Sequence, residues 1–370
     1  MKSILDISNV VYGGYYGSPN RRLSGFPVGG LRKVLGILNA NLQQSEFILC
    51  FDGNNIVKKE LLPTYKAGRV PNYAVFAQLD LLKEILTDCD IPFYYSPELE
   101  ADDYICSVVS FLARANDPDR VIIYSDDRDI SCCVSDSVQV RNVTSNGICI
   151  DRNNFEDRVV RGEQIPYNTI LLHKMVYGDK SDNYPGLEIP GLRFDILAQS
   201  MLSAMQPYLE SGQLPDAAFM DLDIINIIID SLPESFTAEM KERIKFQAQI
   251  VFPKLVDVTL HGFDAFISDL QQASEPIYRV EKRHINVFGF DDFNRSKFDF
   301  YCTMFGLNKC HADRYSSKYA EMADTFKDKL KLLSKDLVDG VIAVERYNNR
   351  NLAQRSSVSG STVQSMTLPL

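Results

Sequence analysis

The sequence predicts an α/β fold built on a central, mainly parallel sheet, and two observations support this prediction. Short apolar runs alternate with stretches whose apolar residues recur at helical spacing. The clearest run, Val-Ile-Ile-Tyr at 121–124, has the length and composition of a buried parallel strand. Several of these runs end in acidic residues, and the carboxyl ends of parallel strands meet at one edge of a sheet. The sequence therefore predicts a cluster of carboxylates at that edge.

Two acidic segments dominate the predicted cluster. In the first, Ser96 is predicted to cap a helix, Pro97 to occupy its first position and residues 100–112 to be helical. The second, Ser-Asp-Asp-Arg-Asp at 125–129, directly follows the strand at 121–124. Acids in a first helical turn also complement the helix dipole, which is an equal alternative for the first segment taken alone. Carboxylates packed together repel strongly, so a hard cation with oxygen ligands, first of all Mg²⁺, is predicted.

Length and composition favour a cytoplasmic protein with no membrane partner. The 370 residues are 45% apolar, enough to bury the core of one large α/β domain with helical additions. No apolar run approaches the ~18 residues of a membrane span, and the first residues lack a signal-peptide pattern. The 8 cysteines form no Cys-x-x-Cys pair and are predicted to be reduced, structural thiols. A net charge of −10 argues at first against a nucleic-acid partner.

Two further strands are predicted to end in an acid. Residues 3–7 form the first, with Asp6 near its end, and residues 46–53 form the second, with Asp52 before Gly53. The helical spacing of residues 31–42 lets that segment cross over the sheet between them. An Asp before a Gly is often only a turn former, so each acid is weak evidence singly. Together with the two acidic segments they point to the same edge.

A basic segment at residues 58–69 follows the second acid-tipped strand. It contains a tyrosine and is interrupted by Pro63 and Gly68. Such a run is usually a solvated loop, but here it could hold a phosphate backbone over bound metal ions. A helix at 73–89 and a strand at 91–95 are predicted to return the chain to the sheet.

The segment after residue 138 combines a hairpin with two more acids. A hairpin is predicted for 138–150 with a turn at Asn146 and Gly147, then a helix for 167–177. Asp179 and Asp182 follow that helix and precede a Gly/Pro-rich turn that leads into a helix reaching about Met201. A glycine-rich turn between helices can offer backbone amides to a phosphate.

Taken in order, these segments resemble the 5′-nuclease family of flap endonucleases and 5′→3′ exonucleases, most closely its phage-encoded members. The resemblance covers roughly residues 1–205 and rests on six runs in family order, which is more specific than any one motif. They are Leu5-Asp6, Phe51-Asp52-Gly53, Tyr65 to Arg69, Glu100 to Asp103, Ser125 to Asp129 and Gly178 to Asn183. It implies a PIN-like α/β nuclease core with a helical arch, followed by a helix-hairpin-helix element.

Four parts are expected along the chain. Residues 1–180 would form the PIN-like nuclease core with an arch near 54–75, and 181–255 a helix-hairpin-helix DNA-binding region. Residues 256–350 would form a helical C-terminal domain, whose aromatic run fits a core better than a base-stacking platform. The Ser-rich segment 351–370 is predicted to be a disordered tail.

The resemblance also implies ligands for two Mg²⁺ ions, which Mn²⁺ could replace. Without nine implied carboxylates the net charge of −10 becomes −1, which removes the objection to a nucleic-acid partner. The implied metal ligands are Asp6, Asp52, Glu100, Asp102, Asp103, Asp127, Asp129, Asp179 and Asp182.

The same resemblance assigns roles to basic and glycine residues. Lys66 and Arg69 would be catalytic, stabilising charge on the scissile phosphate. A K⁺ ion is implied at the hairpin, where the sequence departs from the family by an inserted Ile189-Pro190 and by Arg193 in place of a glycine. The implied DNA-binding residues are Lys58, Lys59, Tyr65, Gly186, Gly191 and Arg193.

The expected function is two-metal hydrolysis of phosphodiesters by a monomeric structure-specific 5′ nuclease, in a bacterial cell or a phage-infected host. Its substrates would be DNA with 5′ ends or flaps and RNA-DNA hybrids, so that it removes primers or flaps in replication and repair. Two alternatives stay open: a non-catalytic factor that binds branched DNA, and a PIN-type ribonuclease acting on single-stranded RNA. Intact carboxylates favour an enzyme, and the Gly178–Gly191 turn favours a duplex substrate over single-stranded RNA.

The last six residues, Ser365 to Leu370, suggest a protein partner. They resemble the hexapeptide with which bacterial replication proteins bind the sliding clamp, with Ser365 and Met366 as departures from the pattern. A frayed terminus, or a tail packed on its own protein, is the alternative. The expected partners are thus a sliding clamp and a single-strand binding protein, besides DNA.

Overall fold

The computed structural model describes residues 1–42, 45–114, 119–144, 147–155, 169–210, 222–255, 293–308 and 317–343. Within these residues the strands are β1 (Lys2–Asp6), β2 (Arg22–Leu23), β3 (Phe26–Pro27), β4 (Glu46–Cys50), β5 (Val121–Tyr124), β6 (Val138–Arg141) and β7 (Cys149–Ile150). The helices are α1 (Ile7–Gly17), α2 (Gly29–Asn41), α3 (Ile56–Leu61), α4 (Tyr73–Asp88), α5 (Ala101–Arg114), α6 (Ile170–Tyr177), α7 (Phe194–Glu210), α8 (Leu222–Asp230), α9 (Ala238–Val251), α10 (Arg295–Met304) and α11 (Ser317–Val338).

The five-stranded sheet has the order β4-β1-β5-β6-β7 and is parallel except for β7. In its centre Asp6 at the end of β1 pairs in register with Cys50 at the end of β4. Leu5 pairs with Tyr124 at the end of β5. The three strands therefore end side by side, and the acids that follow them lie at one edge. The predicted α/β class and mainly parallel sheet are confirmed.

The sheet separates two hydrophobic clusters, because successive strand side chains point to opposite faces. On one face Ile4 and Ile123 pack with buried residues of α5 to α9. On the other face Leu5 packs with buried residues of α1, α2 and α4. Layers of helices on both faces explain why the strands are apolar almost throughout.

Several predicted boundaries move in the structure. The segment predicted as a strand at 91–95 makes only an isolated parallel bridge, between Tyr94 and Cys50. Helix α5 begins at Ala101, so Pro97 is not in its first turn, and the Ser96 hydroxyl accepts instead from the Glu98 amide. Helix α7 continues to Glu210, past the predicted end near Met201. Of the predicted 167–177 helix, residues 170–177 are helical, and 167–168 lie outside the described residues.

Helices α10 and α11 pack against the helices on one face of the sheet, α2 and α4. Buried Phe298, Phe305 and Leu330 belong to the same hydrophobic cluster as residues of α2 and α4. Lys297 also forms an ion pair with Asp88 of α4 at 2.6 Å. These aromatic residues therefore lie in a hydrophobic core, as predicted. That core is shared with helices α2 and α4 and does not belong to a separate C-terminal domain. The predicted tail at 351–370 and the turn residue Asn146 lie outside the described residues.

Candidate metal centre

Asp6 is fixed at the junction between β1 and α1. Its Oδ1 accepts a hydrogen bond from the Asn9 amide at 3.1 Å and so caps α1, which begins at the next residue. Its Oδ2 accepts from the Ser125 hydroxyl at 2.8 Å, which ties the ends of β1 and β5 together. A carboxylate held from two sides is preorganised, and it is only 4% exposed.

Asp52 is positioned by a close approach of two loops. Gly53 donates its amide to the Leu99 carbonyl at 2.8 Å, and a Cβ on Gly53 would lie 1.9 Å from the Ser96 carbonyl oxygen. The glycine after the strand is therefore required by packing, beyond any preference for a turn. The contact lets Asp52 Oδ1 accept from the Ala101 amide at 2.8 Å, at the start of α5.

Asp127 and Asp102 complete a group without a basic partner. The Asp127 amide binds the Ser125 hydroxyl at 3.0 Å, and the Asp127 carboxylate accepts from the Asp129 amide at 2.9 Å. Among the described residues no Lys or Arg forms an ion pair with Asp6, Asp52, Asp102 or Asp127, which we call the lysine-free set.

The charge of the lysine-free set is offset only weakly within the protein, at Asp127 by Lys174 and Lys66, which do not form ion pairs with it. Burial, and then the neighbouring Asp52 carboxylate, raise the pKa of Asp6 well above its usual range. Burial, and then Asp127 and other acids, do the same to the pKa of Asp102. Burial and the Asp129 carboxylate raise the pKa of Asp127 to about 6. These shifts are the signature of anions brought together without a counterion.

A second group of acids is neutralised by lysines. Glu100, 2% exposed, pairs with Lys58 at 2.5 Å and with Lys66. Lys174 Nζ binds Asp129, Asp182 at 2.7 Å and Asp179 at 3.4 Å. We call Glu100, Asp129, Asp179 and Asp182 the lysine-paired set.

The pKa values of Glu100, Asp179 and Asp182 move in the opposite direction. Burial opposes ionisation of Glu100, but the ammonium groups of Lys58 and Lys66 outweigh it and lower the pKa of Glu100. For Asp182 burial is likewise outweighed, first by Lys174 and then by Lys66, so its pKa is lowered. The burial of Asp179 is outweighed first by the hydrogen bond from the Ser181 hydroxyl and then by Lys174, so its pKa is also lowered.

Lys174 is the residue that the sequence interpretation missed. It lies in the last turn of α6, four residues before Gly178, and its side chain is 10% exposed. A signal was present, because a basic residue precedes Asp179 and Asp182 by a turn of helix in a segment already predicted to carry acids.

The structure corrects three predicted roles. Lys58 and Tyr65 were predicted to contact DNA, but they are 9% and 3% exposed, and both reach Glu100 from inside the protein. Asp103 was predicted to bind metal, but its carboxylate accepts from the Glu100 amide at 2.8 Å and the Lys254 amide at 2.7 Å. It therefore joins α5 to the chain after α9.

A cleft of about 960 Å³ opens over the acids. The lysine-free set lines its floor, together with Asp129 and Asp179 of the lysine-paired set. Basic side chains line it as well, and two of them were predicted as catalytic. They are Lys66, Arg69, Arg128, Lys174 and Lys180. The cleft thus combines hard oxygen ligands with cations suited to a phosphate backbone.

Two residues of the predicted arch, Lys66 and Arg69, contact Asp182 at the cleft. Arg69 binds Asp182 through its Nη2 at 2.5 Å, and the Lys66 amide donates to the Asp182 carbonyl at 2.8 Å. Lys66 also has a left-handed backbone, with φ of 55°. Lys59 is exposed and its ammonium donates to the Asn54 carbonyl at 2.7 Å. Segment 54–75 therefore lies against the acids through Lys66 and Arg69.

The hairpin between α6 and α7 is tightly built. Gly186 has φ of 93°, and a Cβ there would lie 2.6 Å from the Val176 carbonyl oxygen. Gly191 has φ of 78° in open space. Arg193 is exposed and forms a bidentate ion pair with Asp195, in which Nε donates to Oδ1 at 2.9 Å and Nη2 donates to Oδ2 at 2.7 Å. Arg243 Nη2 donates to the Leu187 carbonyl at 3.0 Å, so a guanidinium already occupies one side of the loop.

The residues present fit a divalent-cation centre. All four lysine-free carboxylates line one cleft, where Asp6 is buried, Asp102 and Asp127 are half-buried and Asp52 is exposed. Burial and neighbouring acids raise the pKa values of Asp6, Asp102 and Asp127. Oxygen ligands of this kind suit Mg²⁺ or Mn²⁺. A cation there would restore the carboxylates to their ionised form.

Parts of this chain are similar to known proteins. Residues 2–160 match the family model described as 5′-3′ exonuclease, N-terminal resolvase-like domain. A 5′-3′ exonuclease of Aquifex aeolicus is 30% identical over 194 residues, covering 50% of this chain and 64% of the relative. DNA polymerase I of Geobacillus stearothermophilus is 29% identical over 195 residues, 51% of this chain and 22% of the polymerase. The chain thus spans less than two thirds of either relative.

Solved structures give a similar picture at lower identity. T5 5′-exonuclease with bound zinc ions superposes with a TM-score of 0.46 and 17% identity, covering 74% of this chain and 100% of that one. The catalytic core of Rad2 in complex with DNA gives a TM-score of 0.35 and 13% identity over 74% and 86% of the two chains. The family match covers β1 to β7 and all but two of the predicted metal ligands, Asp179 and Asp182. Residues 2–160 of this chain are thus similar to the N-terminal, resolvase-like domain of the 5′-3′ exonuclease family.

Proposed function

We propose that the chain is a metal-dependent, structure-specific 5′ nuclease that hydrolyses phosphodiesters at 5′ ends or 5′ flaps. The observation that carries this proposal is the lysine-free set at the carboxyl edge of the sheet, open to a cleft with basic walls. The family match of residues 2–160 supports it. Primers and flaps in DNA replication and repair are the proposed substrates, including RNA-DNA hybrids.

Two Mg²⁺ ions are the proposed cofactors, with Mn²⁺ as a substitute. The lysine-free set would hold the first, and Asp129, Asp179 and Asp182 could hold the second once Lys174 moves aside. Bound there, the ions would supply an activated water and neutralise the leaving oxygen. Seven of the nine predicted acids would then be metal ligands. The other two have different roles: Glu100 is held by two lysines, and Asp103 positions α5.

Lys66 and Arg69 would act on the phosphate. Both side chains line the cleft, and each is tethered to an acid of the site, Glu100 for Lys66 and Asp182 for Arg69. Their positive charge would stabilise the phosphoryl oxygens as negative charge develops in the transition state. The tethers fix their positions before substrate arrives, which lowers the ordering cost at the moment of reaction.

The hairpin region 181–255 is the proposed duplex-binding surface, with Gly186, Gly191 and Arg193 near the DNA. For Arg193 to bind phosphate, its pair with Asp195 must open, because that pair uses two guanidinium donors. A K⁺ ion at the hairpin would compete with Arg243, whose guanidinium donates to the Leu187 and Glu188 carbonyls. We therefore propose Arg243 as the resident positive charge there, and duplex binding should be equal in K⁺ and Na⁺.

A matched set of labelled substrates tests the activity. With Mg²⁺, a 5′-labelled flap on a duplex should be cut to discrete short products, and EDTA should stop the reaction. A branched-DNA binding factor would retard the flap in a gel and leave it whole in Mg²⁺. A single-strand ribonuclease would cut unpaired RNA and ignore the DNA flap. Either outcome would overturn the proposal.

The end of the chain supports a proposed partner. Residues 365–370, which lie outside the described residues, would dock Leu368 and Leu370 in an apolar pocket of a sliding clamp, and a single-strand binding protein is a second proposed partner. Deleting residues 366–370 should abolish clamp binding and clamp-stimulated cleavage while unstimulated cleavage stays unchanged. Equal clamp binding by the full-length and shortened chains would refute this.

A further inference from the structure

Beneath the acidic cleft lies a cluster of three thiols that the proposed reaction does not use. The Sγ atoms of Cys106, Cys132 and Cys133 all lie within 4.8 Å of one another. Cys106 and Cys133 are in contact, with their Sγ atoms 3.6 Å apart. The three residues are 2%, 7% and 1% exposed, so this is an interior cluster. All three are thiols, with no disulfide between them.

The fold brings the three thiols together from two elements. Cys106 lies on α5, one turn after Asp102, and the two adjacent cysteines close the 3₁₀ turn Asp129–Cys133. That turn packs against α5, and both elements belong to the cluster of buried residues on the same face of the sheet. The thiols therefore join the same two elements that carry Asp102 and Asp129.

The spacing of the thiols suits a soft metal ion. Zinc held by thiolates has metal–sulfur distances of about 2.3 Å, which places tetrahedrally arranged sulfurs about 3.8 Å apart. The observed 3.6 Å contact is close to that value, and the third thiol lies within 4.8 Å of both. Small side-chain rotations could bring all three onto one ion.

A fourth ligand position is available beside the cluster. The charged and thiol residues that line a cavity of about 20 Å³ are Cys106, Cys132, Asp102, Asp127, Asp129, Asp182, Lys58, Lys66 and Lys174. A cavity of that size holds one water molecule, and the carboxylates can accept its hydrogen bonds. Three sulfurs and one water make the tetrahedral arrangement that zinc prefers.

We propose that Cys106, Cys132 and Cys133 form a second metal site, for a thiophilic divalent cation of the zinc class, separate from the oxygen-ligand centre in the cleft. Binding would be a ligand exchange, in which the aqueous cation takes three thiolates and retains one water while three protons are released to solvent. No oxidation occurs, and the three new metal–sulfur bonds replace bonds to water. Hard Mg²⁺ has little affinity for sulfur, so the two sites select different ions.

The consequence for the protein is a tie between α5 and the 3₁₀ turn. Without an ion, the Cys106 thiol keeps its proton, because its hydrogen bond with Cys132 and then burial raise its pKa. With an ion, three thiolates and their metal hold the two elements at fixed distance. The occupied site therefore stabilises the positions of Asp102 and Asp129 without touching substrate.

Cobalt is the probe that tests this site, because thiolate-bound tetrahedral Co²⁺ absorbs in the near ultraviolet and visible range and carboxylate-bound Co²⁺ has no thiolate charge-transfer band. The full chain, reduced and saturated with Mg²⁺, is titrated with Co²⁺ and then with Zn²⁺. We expect a thiolate charge-transfer band that saturates at one Co²⁺ per chain, three protons released per ion, and loss of the band as Zn²⁺ displaces Co²⁺. The Asp52→Asn variant should give the same band, because Asp52 lines the cleft but not this small cavity, which separates this site from the proposed nuclease centre.

Variants identify the ligands. Cys106→Ala, Cys132→Ala and Cys133→Ala should each weaken Co²⁺ binding at least tenfold, whereas Cys302→Ala, which removes a buried thiol in the other hydrophobic cluster, should bind as the wild type does. A thermal melt in Mg²⁺ without Co²⁺ checks that each variant folds. No band in the reduced wild type would overturn the proposal, as would an unchanged band in a folded Cys106→Ala or Cys133→Ala variant. A Cys106–Cys133 disulfide in the protein as isolated would overturn it too.

Discussion

The lysine-free set and the lysine-paired set lie side by side at one edge of the sheet. Lysines form ion pairs with the acids of the second set but not with those of the first. Asp102 and Asp127 have raised pKa values because burial and neighbouring anions penalise their ionised forms. Glu100 and Asp182 have lowered pKa values because lysines outweigh the same burial. One set therefore needs a cation from solution, while the other already has its cations built in.

This difference indicates an order of events. We expect a divalent cation to enter the lysine-free set without breaking an ion pair to a lysine, and its binding would relieve the repulsion among these acids. An ion at Asp129, Asp179 and Asp182 must first displace Lys174. Lys174 would then be released toward the cleft, where its ammonium could form an ion pair with a substrate phosphate.

The largest expected effect is on cleavage. Asp127→Asn in the lysine-free set and Asp129→Asn in the lysine-paired set should each slow single-turnover cleavage of a 5′ flap by about 10³-fold. DNA binding should stay equal or become tighter, since each change removes a negative charge near the phosphates. Near-wild-type cleavage by either variant would remove that residue from the proposed centre.

The second effect is on stability and falls on the lysine-paired set alone. Lys174→Met should lower the free energy of unfolding of the metal-free protein by about 3–5 kcal/mol, because it removes the ammonium shared by three carboxylates and leaves buried Asp182 with Arg69 alone as its charged partner among the described residues. The Mg²⁺-induced rise in melting temperature should then exceed that of the wild type. Lys180→Met, at an exposed lysine of the same cleft, is the matched control and should change neither quantity. Equal stability of the two variants would contradict the division into two sets.

A smaller effect is expected at the predicted arch. Lys66→Ala should lower the single-turnover rate by about 10²-fold and change substrate binding much less, because its charge acts on the transition state. Lys59→Ala, at an exposed lysine of the same segment, should leave the rate within about twofold, as expected for a solvated charge. An unchanged rate in Lys66→Ala would make segment 58–69 a solvated loop.

The smallest effect is a pH dependence confined to the metal-free protein. The folded-state pKa of Asp127 is raised, to about 6, so ionisation of this carboxyl opposes folding. Stability associated with it is fully present below its unfolded-state pKa and is lost as the pH rises through about 6. In EDTA the melting temperature should therefore fall between pH 5 and pH 7 more steeply in the wild type than in Asp127→Asn. Parallel pH profiles of the two proteins would exclude this effect.

The sheet and its acidic edge were predictable from sequence because they depend on local signals. Apolar runs ending at Asp6 and Tyr124 carry their own strand pattern, and their common edge follows from parallel pairing. Helix α5 was predicted at 100–112 and lies at Ala101–Arg114, but the residue predicted to cap its start, Ser96, was wrong. That start depends on Asp52, which is far away in sequence and whose carboxylate accepts from the Ala101 amide.

The roles of individual side chains were less predictable for the same reason. Lys58 and Tyr65 have the composition of a surface loop, and only the packed structure shows that they are buried against Glu100. Asp103 matches an acidic motif, but its carboxylate is used by the Lys254 amide, 151 residues away. Lys174 belongs to none of the motifs found in the sequence, so no role was predicted for it. Partners distant in sequence decided each case.

The central claim is that the lysine-free set is a divalent-cation site, and Mg²⁺-dependent thermal unfolding tests it most directly. Millimolar Mg²⁺ should raise the melting temperature of the wild type, since the ion binds only the folded protein. The rise should be lost in Asp127→Asn and kept in Asp103→Asn, which alters an acid of the same edge that serves α5 instead. No rise in the wild type, or an equal rise in Asp127→Asn, would contradict the account.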